Sequence, residues 1–143
     1  MIDKFILFYL TWIEPEKNTL IKTDCYKHID NIRKVLDIPD GSRASVWKAT
    51  SKKGDSHSGA QIDLLFDRDD EAITICEIKY SATPFTLDKA YVQNILNKKE
   101  IFIKKVGTAK QIFITLIAFS GVKNNFYADS VLSGIVSLND LFD

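Results

Sequence analysis

The chain has 143 residues, which is enough for one domain with a substantial hydrophobic core. Its 19 basic and 19 acidic side chains cancel, so no global charge attracts nucleic acid, and any basic surface must be local. The two cysteines, Cys25 and Cys76, lie far apart, which excludes a ligand-like spacing and indicates free thiols in a reducing compartment. We therefore expect a single domain over residues 1–143, located in the cytoplasm, with Cys76 packed in its core.

The N-terminal stretch FILFYLTWI is the one segment that suggests a membrane. It is too short to span a bilayer, and it lacks the small-residue cleavage site of a signal peptide. We expect instead a buried helix over residues 3–13, within a helical lead-in segment of residues 1–18, and no membrane partner. A second helix is expected over residues 19–36, and Pro39 and Gly41 end it because both residues break helices.

Alternating strand and helix signals follow in the rest of the chain. We expect a strand at 44–50, strands at 60–67 and 72–80 joined as a hairpin around R-D-D-E, a helix at 87–106, strands at 111–119 and 131–136, and a terminal helical turn at 138–142. The run QIFITLIAF is almost continuously apolar, which is typical of a central strand covered on both faces. This order predicts an α/β fold.

Charged residues interrupt the two hairpin strands, although unpaired charges in apolar strands are costly. Residues directly opposite each other in an antiparallel pair have a constant sum of positions. Asp63 with Glu77 and Gln61 with Lys79 give the same sum, so one register, with the turn centred on Asp70, accommodates both pairs. Because strand side chains alternate between faces, this register predicts all four charged and polar residues on one face, together with Leu65.

Two carboxylates as close as Asp63 and Glu77 would share a proton, with one pKa raised, or hold a divalent cation. Mg²⁺ takes one or two carboxylates and completes its shell with water and phosphate oxygens. The Lys79 ammonium could orient or deprotonate a water, or stabilise charge that develops on a phosphate. The set predicts a phosphodiester hydrolysis site. A simpler alternative stays open, in which Glu77 pairs with Lys79 at the surface, a contact worth little.

The spacing D-x13-E-x-K across a hairpin, followed by a long helix, resembles the PD-(D/E)xK nuclease superfamily. More narrowly, GAQIDLLFDR and ICEIKYS are similar to the C-terminal nuclease-like domain of a group of prokaryotic AAA-type ATPases. FILFYLTWI, QIFITLIAF with SGVKNNFY, and VSLNDLF resemble other parts of that domain. The resemblance covers nearly the whole chain. It implies a restriction-endonuclease-like fold, with a central mixed β-sheet flanked by α-helices.

The resemblance also implies roles for individual residues. Asp63 and Glu77 match the metal ligands, with the backbone carbonyl of Ile78 as a further ligand, Lys79 matches the catalytic lysine, and Gln61 matches a supporting polar position. It implies cleavage of DNA with Mg²⁺ or Mn²⁺ as cofactor. Possible partners are a second copy of the chain and an AAA-type ATPase. The chain itself has no G-x-x-x-x-G-K-[ST] and therefore no P-loop.

The resemblance departs at Lys22, which occupies the place of a glutamate on the helix before the sheet. Asp24 is close by, but its direction on a helix differs by about 200°. Loss of that glutamate would weaken metal binding. The alternative function is therefore a catalytically degenerate nuclease fold that binds DNA or docks to a protein partner related to the ATPase, and a plain structural domain that docks to an ATPase is a third possibility.

Local basic residues are candidates for contacts with nucleic acid. Lys89 and Lys98 lie on the predicted long helix, and Lys52 and Lys53 lie in the polar loop before the hairpin. On one side of the molecule these lysines would bind phosphates beside the hairpin. The alternative is a solvated helix face and a solvent-exposed loop.

Overall fold

The computed structural model describes residues 28–50, 54, 59–79, 81–118, 120–137 and 139–140. Its elements are helix α1 (28–35) and strands β1 (Arg43–Ala49), β2 (Ala60–Asp67) and β3 (Ala72–Lys79), followed by helix α2 (Lys89–Val106), strand β4 (Gln111–Ala118), helix α3 (Phe126–Val131) and strand β5 (Gly134–Ser137). The predicted helix at 3–13, the lead-in segment, Lys22, Cys25, Lys52 and Lys53 lie outside the described residues.

The five strands form one mixed sheet in the order β1-β2-β3-β4-β5. The first three strands are antiparallel neighbours, whereas β4 is parallel to β3 and β5 is parallel to β4. Parallel neighbours need a crossover connection, which α2 supplies between β3 and β4, and α3 between β4 and β5. The predicted α/β class, with a mixed sheet flanked by helices, is confirmed.

Helices α1 and α2 pack on opposite faces of the sheet, and each face offers apolar side chains because successive strand residues point to opposite sides. On one face, Cys76 packs with Ile29 and Ile32 of α1, and its thiol is fully buried, as predicted. On the other face, the neighbouring Ile75 packs with Phe102 of α2. β4 is buried from residue 114 to residue 118, which confirms the predicted central strand. The hydrophobic core therefore has two layers, one on each face of the sheet.

Helix α2 follows from its capping residues and its apolar stripe. Asp88 is extended, at φ −121°, and its Oδ1 accepts a hydrogen bond from the backbone N–H of Tyr91 at 2.7 Å. This conformation makes Asp88 the N-cap, so the helix begins two residues later than predicted. Gly107 ends the helix at φ 70°, in the left-handed region that favours glycine. No helix in the described part of the chain has the length and apolarity needed to cross a membrane.

The region after β4 differs from the prediction. Asn125 caps α3, since its Oδ1 accepts a hydrogen bond from the Ala128 backbone N–H at 2.8 Å. Val131, expected to begin the last strand, ends this helix instead, and β5 begins at Gly134. A helix of six residues is too short to show a helical repeat of apolar residues, which is why the sequence pattern did not predict it.

Candidate functional site

The hairpin of β2 and β3 has the predicted register. Four residue pairs, from Asp67↔Ile73 to Leu64↔Cys76, follow the expected pairing around the turn. The ladder ends at Leu64↔Cys76, so the predicted pairs Asp63–Glu77 and Gln61–Lys79 fall beyond its last pair. The two strands are therefore paired near the turn, and their ladder ends one residue before Asp63 and Glu77.

A β-bulge in β2 lies at the same point. Ser45 of β1 pairs with Leu65, and two residues later Trp47 pairs with Ile62, so β2 has one extra residue between these pairs. Bulges bend the strand and change the direction of a side chain. Asp63 lies within this bulge, which places it at an irregular position in the strand.

The bulge corrects the expectation for Gln61. Ile62 and Leu65 pack in the same hydrophobic cluster, although they are an odd number of residues apart. Gln61 therefore does not share a face with Leu65, contrary to the prediction from strict alternation. It is exposed and lies opposite Lys48 of β1.

The Asp63 carboxylate bridges the two strands. Its Oδ2 accepts a hydrogen bond from the backbone N–H of Ile78 at 2.9 Å. A strand N–H points along the sheet toward the neighbouring strand, so the carboxylate occupies a position that a ladder carbonyl would otherwise take. Asp63 is thereby held beside the segment of β3 that contains Glu77.

Glu77 is almost fully buried, with 3% of its surface exposed. Its Oε1 accepts a hydrogen bond from the ammonium of Lys98, on α2, at 2.7 Å. Burial raises the pKa of Glu77 to about 7, the contact with Lys98 lowers it, and the charge of Asp63 raises it. The two carboxyl groups are thus neighbours, and the pKa of Glu77 lies near neutral pH.

The ammonium of Lys79 lies over two aromatic rings. Its Nζ lies 4.9 Å from the centre of the Tyr91 ring and 5.8 Å from that of Phe85, and the two rings meet edge to face. Cations at these distances are attracted to the ring face. Lys79 therefore lies against these rings, and the ammonium in contact with Glu77 is that of Lys98.

The position of Lys98 in the sequence indicates a buried partner as well as a contact with nucleic acid. Tyr91, Ile95, Lys98 and Phe102 recur at helical spacing, and Ile95 and Phe102 are buried. Lys98 is thus the cation within the apolar stripe of α2. A charged residue at such a position needs a buried partner, and that partner is Glu77.

Two further groups lie in the field of the carboxyl pair. The hydroxyl of Tyr91 is buried and has no hydrogen-bond partner among the described residues. Burial raises its pKa, and the charges of Glu77 and Asp63 raise it further. The same causes, in the same order, raise the pKa of the Cys76 thiol. Both groups therefore stay protonated at neutral pH.

Two further lysines of the described part of the chain lie away from the contact between Lys98 and Glu77. Lys89 is exposed at the start of α2, and Lys110 contacts Asp67 Oδ1 at 2.8 Å. Within the described ranges, no cluster of three or more His, Cys, Asp or Glu side chains is arranged to hold a metal ion. A cation between Asp63 and Glu77 would need its other ligands from the backbone, water or substrate.

Comparison with known proteins gives no relative for this arrangement. No family model matches the chain, and no curated protein or solved structure shows significant similarity to it. The function must therefore be inferred from the chemistry of the residues themselves.

Proposed function

We propose that the chain is a PD-(D/E)xK-like nuclease domain with a restriction-endonuclease-like fold, which hydrolyses phosphodiester bonds of DNA with Mg²⁺ or Mn²⁺. The observation that carries the proposal is the pair of neighbouring carboxyl groups, Asp63 and Glu77, at the point where the β2–β3 ladder ends, with the Lys98 ammonium 2.7 Å from Glu77. The antiparallel hairpin followed by a helical crossover to a parallel strand supports it.

The carboxyl pair fits a hard divalent cation. When both groups are ionised, each carries a negative charge beside the other, which the raised pKa of Glu77 reflects together with its burial. Mg²⁺ commonly binds through one or two carboxylates and keeps several waters. Asp63 and Glu77 would hold it, with the Ile78 carbonyl as a third ligand. When bound, the cation would polarise the phosphate and favour ionisation of a coordinated water.

The two lysines supply the positive charge for a phosphate. Lys98 reaches the carboxyl pair from α2, and Lys79 extends from β3 toward the rings of Tyr91 and Phe85. Ammonium groups held at fixed positions stabilise negative charge that grows on phosphate oxygens during hydrolysis. In this proposal Lys79 orients the attacking water, and Lys98 neutralises charge on the phosphate.

A second candidate function is a nuclease fold without catalysis, which binds DNA or docks to an AAA-type ATPase. The contact between Lys98 and Glu77 favours it, because the ammonium already balances one carboxylate without a metal ion. Lys22, where the family resemblance implies a glutamate, favours it as well. In this case the carboxyl pair would be a structural remnant of a catalytic site.

A titration with Mn²⁺, followed by water-proton relaxation, distinguishes the hydrolase from the fold without catalysis. It is done at about pH 8 so that Glu77 is ionised. The variants are Asp63→Asn and, as a matched control, Asp129→Asn, which changes an exposed carboxylate on α3. We expect binding in the wild type and the control, loss of binding in Asp63→Asn, and cleavage of plasmid DNA that follows the same order. Equal, very weak binding in all three proteins would replace hydrolysis with the second candidate.

A further inference from the structure

A groove of about 420 Å³ lies beside Lys98, the lysine that contacts Glu77. One side is formed by Gly59 and Ala60 at the start of β2. The other side is a face of α2 that carries Ala90, Gln93, Asn94, Asn97, Lys98 and Ile101. Residues three and four apart on a helix lie on the same side, so these six form one continuous strip. Lys98 lines the groove and also contacts Glu77, which joins the groove to the candidate site.

The lining of the groove is rich in amides and poor in charge. Gln93, Asn94 and Asn97 supply three carboxamides, and among the lining residues that the structure describes Lys98 is the one that is ionisable. Elsewhere on α2, the exposed residues include Lys89, Lys104 and Lys105. The amide strip therefore differs chemically from the ordinary solvated surface of the same helix.

The amides retain hydrogen-bonding capacity for a ligand. Gln93 Nε2 donates to Asn97 Oδ1 at 3.2 Å, which fixes the two side chains relative to each other. A carboxamide has two donor hydrogens and an acceptor oxygen, so Gln93 keeps its oxygen and Asn97 keeps its amide nitrogen for other partners. Paired donors and acceptors of this kind match the edges of nucleic-acid bases.

The shape and charge of the groove favour an unpaired strand over a duplex. Its volume is within the range of about 300–1,000 Å³ typical of pockets for small ligands, which suits nucleotide units. Gly59, Ala60 and Ala90 have no long side chains to fill it. A duplex hides its base-pairing edges and is held mainly through several phosphates, whereas the described residues that line this groove include one cation, Lys98.

We propose that the groove is a binding site for an unpaired DNA strand. The amides of Gln93, Asn94 and Asn97 hydrogen-bond to base edges, and Lys98 contacts the phosphate that lies nearest to Glu77. The assignment of this strand as the substrate rests on the proposed function. The binding itself does not, because it requires neither a metal ion nor cleavage.

The test is fluorescence anisotropy with a short labelled single strand of mixed sequence, in EDTA so that no cleavage occurs. The variant is Asn94→Ala combined with Asn97→Ala, and the matched control is Gln111→Ala, an exposed amide at the start of β4. We expect the double variant to bind about tenfold more weakly, the effect of losing one or two neutral hydrogen bonds. The control should bind like the wild type, and a duplex of the same sequence should bind more weakly than the single strand.

Salt dependence separates amide contacts from phosphate contacts. Each phosphate neutralised on a single strand contributes about 0.7 to the slope of log affinity against log salt concentration. Lys98→Met should lower the slope by that amount, and the double amide variant should leave it unchanged. Thermal unfolding of each variant establishes that it is folded. Wild-type affinity in the folded double variant, tighter binding of the duplex, or failure of the wild type to bind the strand would each overturn the proposal.

The Mn²⁺ titration distinguishes this proposal from the proposed function. Strand binding that depends on Asn94 and Asn97 in a protein that does not bind Mn²⁺ would support the groove and contradict metal-dependent hydrolysis. If Mn²⁺ binding requires Asp63 but strand binding does not depend on Asn94 and Asn97, the groove is not the strand-binding site, and the proposal of metal-dependent hydrolysis is retained.

Discussion

The ammonium of Lys98 lies 2.7 Å from Oε1 of Glu77 and thereby joins helix α2 to strand β3. The Glu77 side chain is 4% exposed and that of Lys98 is 30% exposed, so the carboxylate loses more hydration than the ammonium. Burial outweighs the attraction, because the pKa of Glu77 is still raised to about 7. The pKa of Glu77 therefore lies near neutral pH, well above that of an exposed glutamate.

Replacement of Lys98 by methionine should strengthen binding of Mn²⁺ to the carboxyl pair. In the wild type a cation must compete with the ammonium for Glu77, and a charge-assisted hydrogen bond contributes about 1.5–3 kcal/mol. Loss of the contact also raises the pKa of Glu77 further, so the proteins are compared at a pH high enough to ionise this carboxyl in both. At that pH, removal of the ammonium should lower the dissociation constant for Mn²⁺ on the order of tenfold. Water-proton relaxation measures this affinity.

The control for that experiment is Lys104→Met, which removes an exposed lysine from the last turn of the same helix. Its affinity for Mn²⁺ should equal that of the wild type. If the proposed function holds, Lys98→Met should also cleave DNA more slowly even though it binds metal more tightly. Weaker Mn²⁺ binding in Lys98→Met than in the control would show that the lysine assists the metal site and does not compete with it.

Replacement of Glu77 by glutamine should flatten the pH dependence of stability. The carboxyl has a pKa of about 7 in the folded protein against 4.5 in the reference state, so the folded protein binds the proton more tightly. The stabilisation is fully present below about pH 4.5 and is lost as the pH rises through 7. Over that range the free energy of unfolding of the wild type should fall by on the order of 3 kcal/mol from this group alone.

Urea denaturation at a series of pH values measures the difference between wild type and Glu77→Gln. The glutamine variant retains an oxygen that accepts a hydrogen bond from Lys98 and does not titrate. Its free energy of unfolding should exceed that of the wild type above pH 7, and the gap should narrow as the pH falls. Parallel curves for the two proteins would mean that Glu77 ionises in the folded state as easily as in water.

Replacement of Asp63 should affect the Ile78 amide in a way that depends on the new side chain. Alanine would leave the Ile78 N–H without the acceptor it has at 2.9 Å, at a cost of about 1–3 kcal/mol, whereas asparagine keeps an oxygen for that bond. Hydrogen exchange followed by NMR should show a less protected Ile78 amide in Asp63→Ala than in Asp63→Asn. Equal protection in the two variants would exclude Asp63 as the partner of that N–H.

The sequence predicted those features of the fold that depend on periodic patterns. The sums of residue numbers around the R-D-D-E turn predicted the register that the pair Leu64↔Cys76 confirms. The apolar repeat of α2 and the almost continuous apolar run of β4 likewise predicted their positions. These patterns succeed because burial of one face constrains every second residue of a strand, and every third or fourth residue of a helix.

The geometry of the candidate site was only partly predictable, because it depends on an interruption of the pattern. One extra residue in β2 produces the bulge at Asp63 and moves Gln61 away from the face of Leu65. Contacts between distant elements are also invisible to local periodicity: the pairing of Lys98 with Glu77 spans 21 residues. Only the unusual position of Lys98 within an apolar stripe pointed to a buried partner.

The hydroxyl of Tyr91 should be dispensable for stability, whereas its ring should not. The hydroxyl is buried with no hydrogen-bond partner in the described part of the chain, so Tyr91→Phe removes an unsatisfied polar group. Tyr91→Leu also removes the ring that meets Phe85 edge to face at 5.0 Å and lies 4.9 Å from the Lys79 ammonium. Such contacts contribute about 0.5–1.5 kcal/mol each.

Urea denaturation at about pH 8 should therefore give Tyr91→Phe a free energy of unfolding equal to that of the wild type or higher by up to about 1 kcal/mol. Tyr91→Leu should lose about 1–3 kcal/mol, and Lys79→Met should cost less in the Leu background than in the wild type, because only the more distant Phe85 ring, at 5.8 Å, is left for Lys79 to contact. A loss above about 1 kcal/mol in Tyr91→Phe would show instead that the hydroxyl donates a hydrogen bond that stabilises the site.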